Sequence, residues 1–152
     1  MPLKLTWDDL LIQNLSESDT RIWLNYWSAK IAGRVAPVFL SKFGDWFLRR
    51  PDGSTDELSV IEGSYSTVAA TPEEFGSLVN SPAWQEEHLL SYQVLQLHER
   101  GLIPNASQCY AFAPHPVISG SISIDHALIM DIGVWQNICA QMFSAQPSGD
   151  GK

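Results

Sequence analysis

Basic side chains are scarce in this chain: 9 Lys and Arg stand against 17 Asp and Glu, a formal charge of −8. The shortage disfavours a nucleic-acid ligand, because neutralising phosphates takes a surplus of cations. It argues equally against an anionic membrane surface. Cysteine is nearly absent. The 2 thiols, Cys109 and Cys139, sit in apolar runs with no metal-ligand spacing to each other or to a histidine. They read as buried free thiols of a reducing compartment. No stretch approaches the roughly eighteen apolar residues of a membrane span. The opening Met-Pro-Leu-Lys-Leu-Thr-Trp-Asp-Asp lacks the apolar core of a signal peptide, so a cytoplasmic location is expected. Gly-rich phosphate loops, His-Glu-x-x-His and acidic calcium loops are all missing, and no cofactor or metal is expected.

Apolar residues, by contrast, are plentiful at 45% against 17% charged, so 152 residues can bury one real core and resist disorder. The anionic surplus permits steering toward a basic protein, although solubility alone also accounts for it.

Periodicity and caps predict the elements. Thr6 caps a short helix to about Leu15, and a second helix covers about 19–31, with Ile22, Trp23, Tyr26, Trp27 and Ile31 at helical spacing. From Val35 to Ala69 the chain reads as four short strands joined by turns at Gly44, Pro51-Asp52-Gly53 and Glu62-Gly63, an antiparallel meander. Thr71-Pro72-Glu73-Glu74 is a capping box with proline at the first helical position. Ser81-Pro82 restarts a helix that runs to Arg100, and Gly101 stops it. Strands follow at 109–113, 122–124 and 127–131, then a closing helix over 134–143. The expected fold is one α+β domain over 1–146. It comprises N-terminal helices in 1–33, a sheet-and-helix body in 34–146 with helices on one face of the sheet, and a disordered tail at 147–152.

Candidates for chemistry are few. His88 and His98 lie ten residues apart on one expected helix, too far along the axis to share a metal. Asp125-His126 offers half of a catalytic pair, and His115 lies between prolines, but no nucleophile motif completes a triad. Ser119-Gly120-Ser121 lacks the Gly-x-Ser-x-Gly spacing. Acidic side chains cluster instead: Asp52, Asp56, Glu57 and Glu62 near hairpin turns, and Glu73, Glu74, Glu86 and Glu87 on the helices that follow. If these ends share one side, they form a patch suited to a basic partner.

Several motifs recur in a known order. They are Phe43-Gly44-Asp45 with Phe47, Asp52-Gly53, Glu73-Glu74-Phe75, Gly101-Leu102, and above all Gln108-Cys109-Tyr110-Ala111-Phe112 followed by Pro114-His115-Pro116-Val117 and Gly120. Over about Phe43 to Phe143 the chain resembles the C-terminal domain of bacterial immunity proteins that neutralise type VI secretion DNase toxins. It departs from that family's pattern at Ala111, where glycine is usual, and at the single Gly120, where two glycines are common. The resemblance implies stoichiometric binding of a basic protein toxin rather than catalysis. Gly44, Asp45, Tyr110 and Gly120 read as structural and are not carried over as toxin contacts. The sequence thus leads to a protein-binding module. A small-ligand or regulatory domain with a pocket between sheet and helices is the alternative, and a hydrolase using His126 or His115 comes third.

Overall fold

The computed structural model describes residues 5–144; the tail expected at 147–152 lies outside them. Among the described residues the fold comprises two antiparallel sheets and seven α-helices. The first helix, α1 (Trp7–Leu10), stops a turn early, because Leu11–Ile12 leaves it as strand β1 and pairs with the edge of the meander. Helix α2 (Glu17–Asn25) is capped by Ser16 and gives way to turns before Gly33. The meander follows as β2 (Ala36–Ser41), β3 (Trp46–Arg49), β4 (Thr55–Leu58) and β5 (Tyr65–Ala69), in the order β1-β2-β3-β4-β5.

Helices cover both faces of this sheet, not one. Successive strand side chains point to opposite faces, and adjacent Trp46 and Phe47 are both fully buried. Phe47 meets Phe75 of α3 (Pro72–Val79) and Trp84 of α4 (Pro82–Leu89), with ring centroids 6.1 and 5.5 Å away. Trp46 reaches the last helix, α7 (Ile132–Ser144), through a hydrogen bond to Gln136.

The single long helix expected up to Arg100 is two. Leu90 adopts the left-handed conformation at φ 54°, ending α4 and opening α5 (Ser91–Glu99). Neither glycine nor proline marks the break. Glu86 makes it: its carboxylate accepts from the Tyr92 N–H at 2.8 Å and from the Ser91 hydroxyl, capping the new helix from the old one. The later strands do not join the meander either. β6 (Gln108–Phe112) and β7 (Ala127–Asp131) form a sheet of their own. It is held to the meander by the Tyr110 N–H on Lys42 O and by Phe43 stacking on Phe112 at 5.6 Å. Between them lies a short helix, α6 (Pro116–Ser119), in what reads as loop, and residues 124–126 form a helical turn rather than a strand.

Gln136 is buried completely, yet its amide is satisfied on both sides. The oxygen accepts from the indoles of Trp27 and Trp46, at 2.8 and 2.9 Å, and the nitrogen donates to Gly44 O at 2.8 Å. Gln136→Leu would leave two indole donors and a carbonyl buried without partners, at about 1–3 kcal/mol per group. Denaturant unfolding of this variant is expected to show a loss of at least about 3 kcal/mol; a loss under about 1 kcal/mol would mean that water replaces the amide.

Candidate functional site

The structure separates the acidic residues that the sequence groups together. Asp52 sits on the β3–β4 turn and accepts from the backbone and hydroxyl of Ser54, which hold its carboxyl below the usual range. Asp56 is withdrawn from the surface at 3% exposure, a correction to its place in the patch. Its carboxylate takes Arg50 Nε at 2.7 Å, Tyr65 Oη at 2.8 Å and Thr67 Oγ1 at 2.8 Å. Burial works against ionisation there, but these donors outweigh it and keep the carboxyl low. Arg50 spends its remaining donors on Tyr65 Oη and on the backbone oxygens of Ala32 and Arg34, fastening the loop after α2. Glu74 completes the cap of α3 by accepting from the Ala70 N–H, and Glu86 caps α5. Glu73 is exposed on the first turn of α3, away from the cleft described next.

Three of the eight do converge. Glu57 of β4, Glu62 of the β4–β5 turn and Glu87 of α4 line one cleft of about 230 Å³, together with His88 and with Asp45. Strand alternation explains the sorting: Asp56 and Glu57 are neighbours on β4 and point to opposite faces. Glu57 Oε1 lies 2.7 Å from His88 Nδ1, tying β4 to α4, and His88 stacks on Trp84 with centroids 4.6 Å apart. His88 Nε2 stands 3.7 Å from Glu87.

Asp45 is the turn carboxylate that the sequence suggests, and it also sits at this cleft. It is 5% exposed and accepts the Val60 N–H at 2.8 Å. Burial, with Glu57 and Glu62 adding repulsion against the help of the Val60 N–H, pushes its carboxyl up to about 7. Burial, then Glu62 and Glu87, pushes Glu57 up to about 7 as well. A cleft where several carboxyls crowd in a half-dry space attracts a cation, which relieves the repulsion. No sequence signal put Asp45 here, because its reach depends on the Val60 turn folding over it.

The remaining chemical candidates are engaged elsewhere. His115 is buried, its Nδ1 accepting the Val117 N–H at 3.0 Å and its Nε2 facing Val60 O at 3.1 Å. That pattern fixes the neutral ring protonated on Nε2, and burial lowers its pKa accordingly. The His126 ring is exposed and, among the described residues, meets no serine or cysteine at hydrogen-bonding distance. Burial pushes the thiols of Cys109 and Cys139 up, holding them in the un-ionised form. Among the described residues no group of three His, Cys, Asp or Glu is arranged to hold a metal ion, and no helix is long and apolar enough to cross a membrane.

No family model and no curated protein matches the chain. Its fold is similar to the crystal structure of Atu4351 from Agrobacterium tumefaciens, with a TM-score of 0.51 and 16% identity, over 80% of this chain. The match spans 63% of that chain, less than two thirds of its length. At this identity the likeness concerns fold alone, and it agrees with one α+β domain.

The raised carboxyls give the cleft a pH signature. Asp45 and Glu57 ordinarily titrate at 3.8 and 4.5 and here near 7, so in that window the folded state holds more protons than the unfolded chain. Their contribution to stability is present at low pH and is lost as pH rises toward about 7. His115, lowered in the fold, acts in the opposite direction below about 6.5. Comparison with Asp45→Asn/Glu57→Gln isolates the carboxyls: the variant's melting temperature is expected to gain on the parent's steadily from pH 5 to 7 and then level off. A difference independent of pH would mean that neither carboxyl is raised.

Proposed function

We propose that this chain is a non-catalytic protein-binding module that receives a cationic side chain of a basic partner in the cleft of Asp45, Glu57, Glu62 and Glu87. The partner in this reading is a secreted, nuclease-like toxin that the protein neutralises by stoichiometric binding. The observation that carries the proposal is the convergence of those carboxylates from separate elements onto one half-buried cleft. The charge of −8 supports it by steering a cationic partner toward the surface. A nuclease that handles an anionic substrate has such a surface. The Gln108–Phe112 strand and the Pro114–Val117 segment lend the immunity reading their resemblance.

The cleft's dimensions favour a protein side chain over a free small molecule. At about 230 Å³ it falls below the roughly 300–1,000 Å³ of drug-sized sites, and its lining is mainly polar. A single Arg or Lys head fits such a space and exchanges water for fixed carboxylates. Against a hydrolase stand the engagement of both His115 nitrogens and the burial of both thiols.

The test is co-expression with the product of an adjacent toxin-like gene, followed by purification at low and at physiological salt. A one-to-one complex that weakens with salt is expected, and Glu57→Gln/Glu62→Gln/Glu87→Gln should lower its affinity by at least about tenfold. Full affinity in that triple variant, or no complex in either buffer, would overturn the proposal.

A further inference from the structure

Within seven residues past the buried His115, the chain displays aliphatic side chains to solvent. Val117 is 47% exposed, Ile118 68% and Ile122 38%. Nothing in the folding of the domain calls for three large aliphatics on one short exposed segment, and such patches mark contact surfaces. Two features separate this segment from an ordinary mobile loop.

The first is its anchor. The His115 ring packs between Trp135 and Phe143, with centroids 5.4 and 5.6 Å away. Its Nδ1 accepts the Val117 N–H, its backbone oxygen accepts from Ile118 and Ser119, and Pro116 O accepts from Gly120. The tip is thus held from beneath by a buried residue, and presenting apolar groups on a fixed frame lowers the entropy lost on binding.

The second is its position. Ile122 lines the acidic cleft itself, beside Leu90. The backbone of Val60 joins the two regions: its N–H is held by Asp45 in the cleft, and its C=O faces His115 Nε2 under the tip. The two peptide groups that flank one buried residue therefore set the cleft and the tip in register.

We infer that Val117, Ile118 and Ile122 form the apolar half of one docking surface whose acidic half is the cleft, and that its occupant is a partner-protein segment carrying Arg or Lys flanked by aliphatic side chains. This rests on the cleft reading above and adds the partner's chemistry. Charge alone would accept any cation, whereas the tip demands apolar neighbours. Interfaces draw affinity from such a pairing of a desolvated centre with a charged contact beside it.

The probes are two short synthetic peptides of equal charge, one alternating Arg with Leu and the other Arg with Ser, titrated by calorimetry into the full chain. The wild type is expected to bind the Arg–Leu peptide about tenfold more tightly than the Arg–Ser peptide. Val117→Ser/Ile118→Ser, changed only at exposed positions, should lose that preference and keep its affinity for Arg–Ser. Glu57→Gln/Glu87→Gln should weaken both peptides. Equal affinity of the wild type for both peptides, or a preference that survives the serine variant, would overturn the inference and leave the cleft reading standing. Failure of both peptides to bind would overturn both. Sedimentation of the wild type alone is expected to give a monomer. A dimer abolished by the serine variant would assign the tip to a second copy of this chain and overturn the inference.

Discussion

The side-chain amide of Gln136 is the joint on which the arrangement turns. It brings the segment after α2, strand β3 and helix α7 to one buried point. Its neighbour Trp135 adds an indole N–H to Phe43 O at 2.8 Å. Residues 135 and 136 together therefore grip the Phe43-Gly44 turn through both of its carbonyls, and Asp45 is the next residue. Gly44 has φ +94°, and a Cβ there would lie 3.0 Å from both Trp135 and Gln136, so the turn admits only glycine without displacement. The placement of a carboxyl in the cleft thus begins in the opposite layer of the molecule.

From Asp45 the hydrogen bonds continue across the backbone of Val60, from its N–H to its C=O, to His115, and from His115 into the segment that carries Val117 and Ile118. Each link is buried or nearly so, where an unpaired polar group is costly and a paired one holds its geometry. The exposed carboxylates Glu62 and Glu87 stand outside this chain, on the rim, and determine charge without determining shape.

Local signals made much of this legible. The Thr71-Pro72-Glu73-Glu74 box, the Asp52-Gly53 turn and the Ser81-Pro82 start all mark their elements, since each is a contact between residues no more than four apart. The meander was legible for the same reason. Where partners are distant, the sequence was silent. Nothing near Leu90 announces a break, because the cap comes from Glu86, and nothing near Leu11 announces a strand, because its partner is Ser41. The acidic group was half legible. Charge could be counted, but Asp56 and Glu57 differ only in which face of β4 they occupy, and Arg50 lies six residues from the carboxylate it claims. Asp45 escaped because its role depends on a turn fifteen residues away.

Leu90 shows where the chain accepts strain. An L-residue with a branched side chain in the left-handed region gives up about 1–2 kcal/mol that glycine would not, and such departures gather at ligand clamps and switch regions. At Leu90 the conformation turns the backbone between α4 and α5 while the side chain forms a wall of the cleft. Glycine would relax the backbone and remove the wall. The residue present there favours the shape of the cleft over the ease of the turn, so the strain has a direction: it keeps α4, with Glu87 and His88, ending beside β4.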